Sequence, residues 1–163
     1  MEQEKQKSTY LALLIASLEK KSKVLDQLLI LTETQEKYID KGDIDTDEFD
    51  QLFDKKEKQI QELLKLDKGF EQIFEYVKDE ITQNKEKYIN ELKKLQELIT
   101  QVTDKNITLQ ALEQRNRMKL DTLMRTKRSN IKNFKLSSKT AASYYKNMAN
   151  QHQGQAYFFD RKK

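Results

Sequence analysis

Leu11, Leu18, Leu25, Thr32 and Ile39 recur every seven residues, and Leu14 and Leu28 fill the intermediate positions. Such a repeat lays one apolar stripe along a helix and demands another helix to cover it. The spacing predicts a helix from about Tyr10 to Asp40, roughly 45 Å long at the α-helical rise. Gly42 follows at the point where a left-handed helix cap favours glycine.

A second stripe starts at Phe49 and runs through Leu52, Phe53, Ile60 and Leu63. It resumes at Phe70, Phe74, Val77 and Ile81, beyond an Asp67-Lys68-Gly69 stretch that predicts a kink or short break. The third stripe begins at Tyr88 and continues through Leu92, Leu95, Ile99, Val102, Leu109 and Leu112. Thr82-Gln83-Asn84-Lys85 lies between the last two, as a turn or as a polar stretch of one very long helix. The pattern predicts an all-α, elongated antiparallel coiled coil of about three long helices.

Between the first two stripes stands GDIDTDEFD, whose Asp43, Asp45 and Asp47 alternate like the opening ligands of a calcium loop. That loop needs Gly at its sixth position, an apolar residue at its eighth and Glu at its twelfth. Here Glu48, Asp50 and Asp54 stand at those places. Helix capping explains the acids better, with Asp45 as the cap and Glu48 reaching back to it.

The composition agrees with helices. The chain has 163 residues, 36% of them charged, with no Pro, no Trp and three Gly. It has no Cys, which excludes disulfides and thiolate metal sites and fits a cytoplasmic protein. YLALLIASL is too short an apolar run to span a bilayer, and its flanks lack a signal-peptide pattern. His152 is the single histidine and no ligand cluster surrounds it, so neither a metal nor another cofactor is expected. Three isolated glycines cannot build a P-loop, a dinucleotide fingerprint or a nucleophile elbow. The sequence predicts a binding protein and not an enzyme.

Charge divides the chain. Residues 1–104 carry 17 Lys/Arg against 24 Asp/Glu, and residues 105–163 carry 14 against 3. Beyond Leu112 the stripe keeps its spacing at Leu120, Leu123, Ile131 and Phe134, but Asn116 and Lys127 interrupt it. Arg115, Arg117, Arg125, Lys127, Arg128, Lys132, Lys135 and Lys139 crowd the same region. Ala141, Tyr144, Tyr145 and Met148 then form a second amphipathic patch, and Gly154 separates it from Tyr157-Phe158-Phe159. An apolar stripe this interrupted predicts half of a helical interface, partly mobile until a partner completes it. Residues 1–118 are expected to form the body and residues 119–163 the binding segment.

The order of these features resembles the FlgN-type flagellar export chaperones. The resemblance rests on LEKKSKVLDQLLILTETQEKYI, on FDQLFDKKEKQIQELLKLDKGF, on the long third helix and on the ending YFFDRKK. It implies a non-catalytic cytoplasmic protein that holds hook-associated (hook–filament junction) proteins, keeps them unassembled and delivers them to the flagellar type III export apparatus. In such chaperones the C-terminal amphipathic region grips the cargo. Here that region is roughly Leu120 to Met148, with Leu120, Leu123, Ile131, Phe134, Tyr144, Tyr145 and Met148 as the apolar contacts. The resemblance also implies a tyrosine for docking on the export gate, Tyr144 or Tyr145. Tyr157-Phe158-Phe159 either joins the partner interface or folds back on the body.

Two rival expectations come from other classes. A structural coiled coil would complete its seam by homo-oligomerisation. A nucleic-acid-binding protein would use the basic third on phosphates. The basic residues are spread around the helix with apolar residues between them, which disfavours a nucleic-acid partner. Stable membrane insertion is not expected.

Overall fold

The computed structural model describes residues 2–127, with side chains from Lys5 to Thr126. Three long helices make up this part: α1 (Glu2–Lys41), α2 (Asp47–Gln83) and α3 (Ile89–Lys127). Each extends roughly 55–60 Å at the α-helical rise.

The pairing of residue numbers gives the topology. Ser17 meets Leu66, Lys21 meets Asp67 and Gln35 meets Lys56, so partners on α2 fall as those on α1 rise. Ser22 with Lys105, Thr32 with Glu113 and Asp40 with Lys119 instead rise together. The bundle therefore runs up, down and up, with α1 antiparallel to α2 and parallel to α3. Backbone approach is closest between α1 and each of the other two, which makes α1 the common surface. The expected antiparallel coiled coil of three long helices is the one found.

The first connection is made by two caps. Gly42 takes a φ of 76°, its N–H donates to Ile39 O at 3.0 Å, and Asp43 N–H donates to Tyr38 O at 2.9 Å. This pair of bonds is a Schellman ending, which needs the left-handed residue that glycine supplies. Four residues later Thr46, in extended conformation, accepts from Phe49 N–H at 3.2 Å and starts α2. The helix cap is thus Thr46 and not Asp45. The capping box fails by one position, since Phe49, not Glu48, occupies the third helical position. Asp47, Glu48 and Asp50 sit in the first turn, where carboxylates favour the helix dipole.

The short break that Asp67-Lys68-Gly69 could have made is not there, and α2 is continuous from Asp47 to Gln83. Burial decides this: Leu63, Asp67 and Phe70 hold the inner seam on both sides of Gly69, so the helix gains by continuing. The second connection is a true break. Asn84 closes α2 and a single 3-10 turn, Lys85–Tyr88, leads into α3.

Gly69 is helical, and a methyl group placed there meets nothing within 4 Å. Gly69→Ala removes unfolded-state freedom without a clash and should stabilise the protein by about 0.5–1 kcal/mol. Urea unfolding of the two proteins measures it; a destabilised Ala variant would mean that α2 bends there in solution.

Candidate functional site

The end of the bundle that carries α3 toward Lys127 is built around one apolar cluster. Ile39, Ile44, Phe49, Leu52, Phe53 and Leu120 are buried there, and Leu31, Tyr38, Leu123 and Met124 pack half-buried against it. Phe49 and Phe53 meet edge to face with ring centroids 5.1 Å apart. The Schellman turn brings Ile44 back over this end, which is why a five-residue loop can seal it.

Two of the seven residues expected to contact cargo lie in the described chain. Leu120 is fully buried in this cluster, where it helps close the body. Leu123, one turn further, is half-buried at the rim. Ile131, Phe134, Tyr144, Tyr145 and Met148 lie outside the described residues, as does Tyr157-Phe158-Phe159. The helix that holds Leu120 and Leu123 is unbroken across residue 118 and runs to Lys127.

Part of the basic patch is already engaged. Arg115 forks onto Glu36, with Nε to Oε2 at 2.6 Å and Nη2 to Oε1 at 3.2 Å. Lys119 reaches Asp40 Oδ1 at 2.9 Å and Glu36 Oε2 at 3.4 Å. The hydrogen-bonded guanidinium holds the Glu36 carboxyl below the usual carboxylate value. These residues clamp α3 to α1 along the outside of the end cluster.

Directly beneath that cluster lies a layer that reading the apolar stripes missed. Lys56 of α2 is buried and donates to Gln35 Oε1 at 2.9 Å and to Glu113 Oε1. Thr32 donates to the same Glu113 oxygen at 3.3 Å, and Asn116 Nδ2 donates to Thr32 O at 3.0 Å. All three helices contribute. Burial pushes the Lys56 ammonium down to about 7. A second buried pair, Lys21 with Asp67, lies further along; burial lowers Lys21 against the pull of Asp67. The signal was present in the sequence, because Lys21, Gln35, Lys56, Asp67 and Glu113 all stand at seam spacing.

The geometry defines a class: a helical interaction protein with a closed seam, whose third helix leads from the core toward a basic amphipathic segment. Among the described residues no group of His, Cys, Asp or Glu is arranged to hold a metal ion. No described helix is long and apolar enough to cross a membrane. A family model described as FlgN protein matches residues 10–153, and the chain belongs to the FlgN family of flagellar chaperones. No curated protein and no solved structure matches it.

Two outcomes follow from this arrangement. Leu120→Ala opens a cavity in the end cluster and should cost about 2–5 kcal/mol. Leu123→Ser at the rim should cost distinctly less, and thermal unfolding of the two variants would show the order reversed if Leu123 were the core residue.

Lys56→Met strands buried Glu113 and should cost about 3–5 kcal/mol near neutral pH, while Lys56→Met with Glu113→Leu should recover most of it. Between about pH 7 and the ordinary lysine range, unfolded Lys56 is protonated while the folded side chain is not. The unfolded state binds the extra proton there, so this group makes stability rise with pH; below about 7 its slope vanishes. Unfolding free energies should therefore show the gap between parent and Lys56→Met widening from pH 7 to 9. A gap that stays constant over that range would mean the buried ammonium keeps its charge.

Proposed function

We propose that this protein is a non-catalytic cytoplasmic export chaperone. It binds hook-associated flagellar proteins at the hook–filament junction, prevents their premature assembly and delivers them to the type III export apparatus. The observation that carries this reading is the family match, which spans both the helical bundle and the basic amphipathic segment beyond it.

Physical chemistry supports the same division of labour. Proteins that polymerise through amphipathic terminal helices present exposed apolar faces before assembly, and such faces aggregate. A helix with a complementary apolar stripe covers them in the helix-in-groove mode. The closed body leaves little for that task, because its seam is filled from Leu11 to Leu120. The binding stripe is therefore Ile131, Phe134, Tyr144, Tyr145 and Met148, with Leu123 at its root. Lys and Arg around the stripe steer an acidic cargo surface.

The deciding experiment keeps the chain at full length, since a cut at residue 118 would remove Leu120 from the core. The parent and a variant with Ile131, Phe134, Tyr144, Tyr145 and Met148 all changed to Ser are tested for co-purification with hook–filament junction proteins. The parent should capture one of them and the variant should not, with helicity of the body unchanged. Capture by both would overturn the assignment of the stripe. Capture by neither, together with self-association of the parent on a sizing column with light scattering, would support the scaffold instead.

A further inference from the structure

The interior positions follow a strict alternation of three and four residues in every helix. In α1 they run from Leu11 to Ile39, in α2 from Phe49 to Ile81, and from Tyr88 of the 3-10 turn through α3 to Leu120. A repeat that regular is degenerate: sliding one helix by seven residues again places seam against seam. Apolar packing alone does not choose among these arrangements.

The interruptions do choose. The charged ones fall at Lys21 in α1 with Asp67 in α2, and at Lys56 and Glu113 with Thr32 and Gln35, while Asn106 adds a neutral polar position on α3 within the middle cluster. These two levels divide the apolar interior into three separate clusters. A seven-residue slip of α2 would carry Lys21 from Asp67 to the level of Ile60 or Phe74, and Asp67 to Leu14 or Leu28. A slip of α3 would carry Glu113 from Thr32 to Leu25 or Ile39. Each slipped form buries lone charges against apolar side chains, the costly case for an ion in a protein interior.

We propose that the two buried polar levels are the register device of this bundle, selecting one alignment of three helices whose apolar seams would accept several. The layer at Lys56 carries more of the selection, because it joins all three helices whereas Lys21 and Asp67 join two. The device lowers stability relative to an all-apolar seam: Gln35 Nε2 and Asn116 Oδ1 are buried without a hydrogen-bond partner among the described residues.

The chain has no Cys, so paired spin labels report register on a clean background. Labels at Lys20→Cys with Asp50→Cys read α1 against α2, and Lys20→Cys with Thr122→Cys read α1 against α3, each pair being well offset along the bundle axis so that a slip changes its distance. All three positions are exposed. A slip of seven residues moves a label by about 10 Å. The labelled parent should give one distance for each pair. Replacing Lys21, Thr32, Gln35, Lys56, Asp67, Asn106, Glu113 and Asn116 by Leu should raise the unfolding midpoint and split the distances into populations up to about 10 Å apart. The exchange Lys56→Glu with Glu113→Lys keeps opposite charges in the same layer and should keep the single distance. A single parental distance in the all-Leu protein overturns the proposal, as does a split distance in the charge exchange.

Discussion

The buried ion pair between Lys56 and Glu113 is the point on which the three helices agree. It joins α2 to α3 directly, while Gln35 and Thr32 bring in α1 from the third side. Removing two charges from water is expensive, and their attraction repays it only when partners meet in good geometry. A bundle with this layer at its interior is therefore intolerant of misalignment in a way that leucine seams are not. Where a Leu accepts any apolar neighbour, Lys56 accepts one level only.

That constraint explains how so polar a chain holds three long helices together. Its seam is narrow, about one interior position for each turn, and most of every helix faces water. Nothing like a broad globular core is available, so alignment along the full length has to be secured locally. The caps secure it at one end, with Gly42 and Thr46 fixing where α1 stops and α2 starts. Arg115 and Lys119, bridging to Glu36 and Asp40, hold α3 against α1 from outside near the same end. The opposite end combines an apolar cluster, with Leu11, Leu14, Val77, Ile81 and Tyr88, and Lys7, which donates to Tyr76 O at 3.0 Å and lies over its ring.

The apolar half of this fold was legible in the sequence because Leu, Ile and Phe at heptad spacing have one economical use. The three stripes, the glycine cap and the start of the third stripe at Tyr88 all stand where the pattern puts them. Misreadings came where local signals were weighed without burial. Gly69 reads as a breaker in isolation, yet the seam on both sides of it is buried and overrides a propensity cost of about 1 kcal/mol. Asp45 and Thr46 are both good caps, and neither residue type says which hydroxyl or carboxylate will face Phe49 N–H. The polar layers escaped for a deeper reason. A lysine at a seam position is normally a sign that the seam has ended, and only its partners, 46 residues away for Lys21 and 57 for Lys56, reveal otherwise.

The binding stripe raises the same issue from the other side. Leu120 and Leu123 are three residues apart on one helix and were read as equivalent, yet the first closes the body and the second stands at its rim. Spacing cannot separate them, because a partner's apolar face and the protein's own core demand the same periodicity. The boundary is set by the reach of α1, which ends at Lys41 beside Lys119 and Leu120. Beyond that level α3 has no α1 to cover it, and the Ile44 loop supplies the last apolar contact. Among the described residues, α3 therefore runs on past the level that α1 covers, through Leu123 and Met124 to Lys127. On the chaperone reading proposed above, the turns of the repeat beyond that level are the ones offered to another chain, while the seam below it fixes the body's own register.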